Sequence, residues 1–218
     1  MWPMKVRNPL QVIRAGVDTI RGLIGQDAQK QEVLEEILYG VDTLHRAVSD
    51  LLEYARPVKL QYSDCSAHDI IEKSLKAVAQ LSHHVRVHVE LQQEDRMIRV
   101  DKDMFGSAFV NLLMNALEAM PNGGDMYIRS TCQEEDGMRV LKLSISDTGC
   151  GIDEKDLEKI ELPFYTTKVH GTGLGLAASK KIIEAHKGSL HIRSKVNEGT
   201  TVEITLPIQN SNTELKEL

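Results

Sequence analysis

The chain has 218 residues and a formal net charge of −6, a balance that argues against nucleic acid as a partner. Its three cysteines, Cys65, Cys132 and Cys150, are scattered and lack metal-ligand spacing, which favours a reducing compartment without a disulfide framework. No apolar run approaches the ~20 residues that cross a bilayer, and no signal peptide is visible. The chain is therefore expected to carry no membrane segment and to be cytoplasmic, either as it stands or as part of a longer, membrane-associated protein.

From Val6 onward, Leu10, Ile13, Val17, Ile20 and Leu23/Ile24 recur at three- and four-residue steps, the stripe of an amphipathic helix. Pro9 falls in its first turns, and Gly25 is a plausible stop. A second stripe runs through Val33, Ile37/Leu38, Val41, Leu44, Val48 and Leu51/Leu52 and ends before Pro57. Two such helices with a short link predict an antiparallel hairpin. A lone hairpin covers its apolar face poorly. The stripe is expected to pair with a second copy as a four-helix bundle, the alternative being that it packs on the rest of the chain.

The remainder alternates strands and helices. Pro57 to Tyr62 reads as a linker and first strand. Ser66-Ala67-His68-Asp69 resembles a capping box opening a helix through Ile70, Ile71, Leu75 and Val78. Val85 to Leu91 alternates as a strand with one wet face, and Met97 to Val100 is another. Asp101 starts a helix that Pro121-Asn122-Gly123-Gly124 ends. Met126–Thr131 and Val140–Asp147 form a strand pair joined by Gln133 to Gly137. A helix from near Leu174 through Ile183 precedes the last two strands, Ser189–Ser194 and Thr200–Leu206. The expected domains are a helical hairpin over 1–58, an α/β sandwich over 59–208 with helices on one face of a mixed sheet, and a polar tail over 209–218.

Four motifs carry chemistry. Asn111-Leu112-Leu113-Met114-Asn115-Ala116 puts two amides four residues apart on one helix face, and an amide oxygen is a hard ligand of the kind Mg²⁺ accepts. Asp147-Thr148-Gly149-Cys150-Gly151 follows a strand with an acid and then glycines that admit close backbone approach. Pro163-Phe164-Tyr165-Thr166-Thr167-Lys168 sits in a charged segment. Gly171-Thr172-Gly173-Leu174-Gly175-Leu176 opens a helix whose free N–H groups favour an anion. By itself this last cluster is equally a flexible turn, and it is not the dinucleotide fingerprint.

In order and spacing these motifs resemble the asparagine, first glycine, phenylalanine and second glycine boxes of sensor histidine kinases, over about Val6 to Ile208. Phe164 to Lys168 and Asn115 to Met120 look most like the nitrogen-regulator type. The resemblance implies a phosphotransfer hairpin that dimerises, followed by an ATP-binding sandwich of the GHKL (Bergerat) type, α+β overall. It implies ATP and Mg²⁺ as cofactors, a homodimer, and the receiver domain of a response regulator as partner. Asp147 would accept from the adenine amine and so select ATP. Gly149 and Gly151 would let the base lie against the backbone, with Thr200 and Thr201 lining that side. Asn115 would hold Mg²⁺, with Asn111 toward the phosphates. Gly171, Gly173, Leu174 and Gly175 would cradle the phosphates, and Lys168 would add a positive charge. The segment from Asp153 to His170 would be a lid anchored by Phe164.

Two departures shape the expected reaction. Related ATPases carry Glu as general base at the first position of the asparagine box; Asn111 cannot accept that proton, which favours phosphoryl transfer over hydrolysis. In the family the hairpin opens with His-Glu-x-x-Asn-Pro-Leu. Arg7-Asn8-Pro9-Leu10 matches the tail of that box, but Met4 and Lys5 stand at the His and acid positions. A thioether cannot take up the phosphoryl group, so self-phosphorylation of this chain is not expected, and the box is read as cut or replaced. Asn8 is at most a remnant of a phosphatase motif. The leading expectation is a histidine kinase core that phosphorylates a histidine supplied in trans. The alternative is an ATP-binding pseudokinase that serves as a dimeric scaffold.

Overall fold

The computed structural model describes residues 12–13, 15–21, 28–81, 84–92, 97–135, 137–168 and 171–208. The expectations for Met4, Lys5, Asn8, Pro9, Leu23/Ile24, Gly25, His170 and the tail beyond Ile208 lie outside these residues. The chain divides into two compact units, Met1–Arg56 with Thr166–Leu174, and Pro57–Tyr165 with Gly175–Leu218.

In the first unit, residues 15–21 are helical (α1) and Ala28–Ala55 forms a 28-residue helix (α2). Arg21, at the end of α1, pairs with Glu35 in the early turns of α2 at 3.3 Å, as expected of an antiparallel hairpin. The apolar pattern divides into two sets. Val17, Leu34 and Val41 are buried, whereas Val33, Ile37, Leu44 and Leu51 of α2, with Ile13 and Ile20, remain exposed. The predicted single stripe is thus too broad for one contact, and its outer half is uncovered.

In the second unit a five-stranded sheet runs in the order β2-β4-β5-β7-β6, from Val85–Leu91 (β2), Gly124–Glu135 (β4), Met138–Asp147 (β5), Ser189–Lys195 (β6) and Gly199–Pro207 (β7). Only the β2–β4 pairing is parallel among these neighbours. A parallel neighbour demands a crossover. Here the crossover includes Ile98–Val100 (β3) and the helix Lys102–Glu118 (α4). β3 pairs with Ser63–Cys65 (β1) as a separate antiparallel ribbon. Ala67–Val78 (α3), α4 and Gly175–Ala185 (α6) complete the helical layer, and a short helix, Glu154–Leu157 (α5), follows the first glycine motif.

The core follows from alternation. Met126, Ile128, Leu141, Leu143, Ile145, Ile204 and Leu206 point inward from alternate strand positions and meet Phe105, Phe109, Leu112, Leu113 and Ile183 from the helices. Ser66 caps α3 by accepting from the Asp69 N–H at 3.3 Å, as the capping pattern predicts.

Several boundaries differ from expectation. The first strand begins at Ser63, past the predicted 57–62, because its partner Ile98–Val100 fixes the register. The β4–β5 pairing runs to Glu135↔Met138, so Gln133 to Glu135, expected in the connection, belong to the strand. Polar residues extend it, helped by an ion pair between Lys142 and Glu135 at 2.7 Å. β2 is wet on both faces, with Val87 37% and Val89 44% exposed, because it is the edge strand.

Candidate functional site

The candidate site of the second unit is built on α4: α6 begins against Asn111, and the loop after β5 is fastened to the end of the helix at Ala119. α4 starts at Asp101, whose carboxylate caps it by accepting from the N–H groups of Asp103 at 3.2 Å and Met104 at 3.1 Å and also takes the Gln61 N–H at 2.8 Å. Burial pushes this carboxyl up, but the three N–H groups outweigh it and hold it below its ordinary value. The same helix start is tied to the end of α6 by His186, which is buried. Its Nε2 accepts from the Asp101 N–H at 2.9 Å, which requires the neutral ring. The proton is then on Nδ1, which donates to the Ile182 carbonyl at 2.7 Å. Edge contacts with Tyr62 and Phe105 complete the clamp.

Asn111 and Asn115 project from α4, both half-buried. The amide of Asn111 lies against the first residue of α6. A Cβ built on Gly175 would stand 2.8 Å from both Nδ2 and Oδ1 of Asn111, so the glycine is what admits the amide.

Asp147, only 8% exposed, closes β5. Its Oδ1 accepts from Gly149 N–H at 2.9 Å and from Thr200 N–H at 3.2 Å. The glycines beside it are required by the chain's own backbone. A Cβ on Gly149 would sit 2.5 Å from the Ala119 carbonyl at the end of α4, and Gly151 has φ +68° against the Lys195 carbonyl. The Cys150 N–H donates to that same Ala119 carbonyl at 3.0 Å, which fastens the loop to the helix carrying both asparagines.

Sequence reasoning named Thr200 and Thr201 together, and the register separates them. Thr200 pairs with Asp147, while Thr201 pairs with Ser146 and shares a 2.9 Å hydroxyl–hydroxyl bond with it. Adjacent strand residues face opposite ways, so Thr200 is the threonine beside Asp147 and Thr201 lies on the other face.

The expected lid is partly helical, with Asp153 capping α5. Phe164, expected as its apolar anchor, is 63% exposed and has φ +67°. The anchoring aromatic is its neighbour Tyr165, whose hydroxyl donates to Asp156 Oδ1 at 2.7 Å. Lys180 of α6 forms an ion pair with Glu161 farther along the same segment.

Lys168, Gly171, Gly173 and Leu174 belong to the first unit. Lys168 N–H donates to Thr166 Oγ1 at 3.1 Å, Gly171 N–H donates to the Lys168 carbonyl at 3.2 Å, and Gly173 has φ +67°. Thr172 donates its hydroxyl to Asp50 Oδ2 of α2 at 2.7 Å.

Among the described residues no group of three or more His, Cys, Asp or Glu side chains could hold a metal ion. The hard donors at this site are the amides of α4. Sequence reasoning missed Ser179, a fully buried hydroxyl touching Asn111, because its only signal was a polar residue in the apolar face of α6.

Residues 100–210 match the family described as histidine kinase-, DNA gyrase B-, and HSP90-like ATPase. The chain belongs to this family, as the sheet, the asparagine helix and the two glycine motifs lead one to expect. Over 206 residues it is 37% identical to the signal transduction histidine-protein kinase AtoS of Escherichia coli, covering 94% of this chain and 33% of that protein. It is 31% identical over the same length to the sensor histidine kinase ZraS of Salmonella typhimurium, covering 94% of this chain and 44% of that protein. The chain therefore spans less than half the length of these relatives. The solved structure of the mycobacterial sensor histidine kinase MprB overlays with a TM-score of 0.60 at 25% identity, covering 68% of this chain and 99% of that one. The family match gives the chain an ATPase-type domain of the GHKL kind, and these likenesses are to the catalytic cores of histidine kinases.

Proposed function

We propose that this chain binds Mg-ATP and transfers the γ-phosphoryl group to a histidine, from which a response-regulator receiver domain takes it onto an aspartate. The observations that support this reading most are the meeting of Asn111 with Gly175 at the start of α6 and, after β5, a strand-end carboxylate, Asp147, held by two backbone N–H groups. In this reading Asp147 accepts from the adenine amine. Asn115 holds Mg²⁺, which supplies charge neutralisation at the phosphates, and Asn111 lies close by toward the phosphates. Gly171, Gly173, Leu174 and Gly175 offer backbone N–H groups to the phosphates, and Lys168 adds charge. Asn111 in place of a carboxylate leaves water without a general base, which supports transfer over hydrolysis. The exposed apolar residues of α2 support a homodimer through the hairpin, and a cytoplasmic setting fits the chemistry.

Met4 occupies the acceptor position of the family's motif, so the histidine comes from another chain in this reading. Intact mass after incubation with Mg-ATP, alone and with a relative's hairpin carrying the acceptor histidine, tests it. The expected result is no gain on this chain and an acid-labile phosphoryl group on the added hairpin. ATP binding without transfer to any hairpin would favour a nucleotide-binding scaffold, the reading that Met4 and Lys5 otherwise support.

A further inference from the structure

Ser179 lies on α6 with 0% exposure, among apolar neighbours that include Ile182 and Ile183. Its Oγ stands 3.0 Å from the Gly175 carbonyl, 3.3 Å from the Ala108 carbonyl of α4 and 3.4 Å from Asn111 Nδ2. A serine hydroxyl has one hydrogen to give and two lone pairs to receive with. Both carbonyls only accept, so the single hydrogen goes to one of them, and being buried it has no water to choose instead. Whichever carbonyl takes it, Asn111 meets lone pairs alone. Only the amino end of the amide can bond to lone pairs, so the carbonyl end is turned away from the serine.

Packing cannot make that choice. The two ends of a primary amide are nearly the same size, and both lie at the same 2.8 Å from a Cβ built on Gly175. A half-turn about the last side-chain bond would leave the fit unchanged. The hydrogen-bond polarity of Ser179 is what distinguishes the two orientations.

We propose that Ser179 is a positioning residue: it fixes the Asn111 amide so that Oδ1, the end able to bind a cation or its water shell, is presented to the nucleotide-bound metal. This assignment rests on the Mg-ATP reading of the site. With the amide reversed, the amino group would face the metal, and an N–H group is no ligand for Mg²⁺.

The test is a double-mutant cycle on the full chain, with Ser179→Ala, Asn111→Ala and the pair. ATP affinity is measured by calorimetry with Mg²⁺ and again with a chelator. Ser179→Ala is expected to weaken Mg-ATP binding about fivefold, the size of one ordinary hydrogen bond, and to leave metal-free ATP binding unchanged. On the Asn111→Ala background it is expected to do nothing more. Equal weakening on both backgrounds, equal weakening with and without Mg²⁺, or no weakening at all would overturn the assignment while the wild type still binds Mg-ATP. A wild-type chain that binds no Mg-ATP would overturn the nucleotide reading and this assignment with it. Should Ser179→Ala not fold, Ser179→Cys keeps the buried volume with a much weaker partner, and the same outcomes decide.

Discussion

Asp147 holds its own loop with one side chain. Its Oδ1 gathers the Gly149 and Thr200 N–H groups, so the carboxylate orders the loop before any ligand arrives. Asp147→Ala is expected to lower ATP affinity tenfold or more, about the worth of a charge-assisted hydrogen bond. Asp147→Asn keeps an acceptor for both N–H groups and is expected to lose less. Calorimetric titration of both variants checks this, and an unchanged affinity in Asp147→Ala would remove the adenine assignment. Asp147, Asn111 and Asn115 were legible in the sequence because each carries its chemistry in a local pattern. Ser179 was not, since its meaning depends on an asparagine 68 residues away. Thr200 and Thr201 were named together although a one-residue step along a strand exchanges faces, and the alternation of Val202, Ile204 and Leu206 carries Thr200, not Thr201, onto the face of Ile145 and Asp147.

At the level of elements, β2 and β4 are stitched on their outer face. Asp125 accepts from Arg86 at 2.8 and 2.6 Å and is bonded to His88 Nε2 at 2.8 Å. His88 stacks on Tyr127, and Arg129 lies over the same ring while bonding to Glu90. The hydrogen bonds from Arg86, and then from His88, hold the Asp125 carboxyl well below its ordinary range. A carboxyl depressed in the folded state contributes stability above its unfolded pKa, near 4, and loses that contribution as pH falls through its folded value. The melting temperature of Asp125→Asn is therefore expected to lie below that of the wild type at neutral pH, with the gap closing on acidification below about pH 4. A gap that stays constant down to pH 3 would mean the ladder is not what the carboxylate stabilises. The existence of most strands was readable from alternation. Their order was not, because the parallel placement of β2 beside β4 is made by a crossover that no local signal announces.

At the scale of the whole molecule, the hairpin leaves Val33, Ile37, Leu44 and Leu51 of α2 exposed at four- and seven-residue steps. Such a stripe in water favours a second apolar surface. The wild type is expected to sediment as a dimer at micromolar concentration. Leu44→Glu should shift it to monomer without loss of ATP affinity, as Leu44 is not among the residues assigned to the nucleotide. A monomeric wild type would return the stripe to the rest of a longer chain.

The long β4–β5 hairpin has a practical use. Its register runs from Met126↔Asp147 at the site to Glu135↔Met138 at the tip. β5 is 10 residues long, so Met138 stands roughly 30 Å along the strand from Asp147. A dye or surface tether attached at Met138, which is exposed, would hold the second unit by the end of the sheet remote from its first glycine loop and leave that loop open to solution.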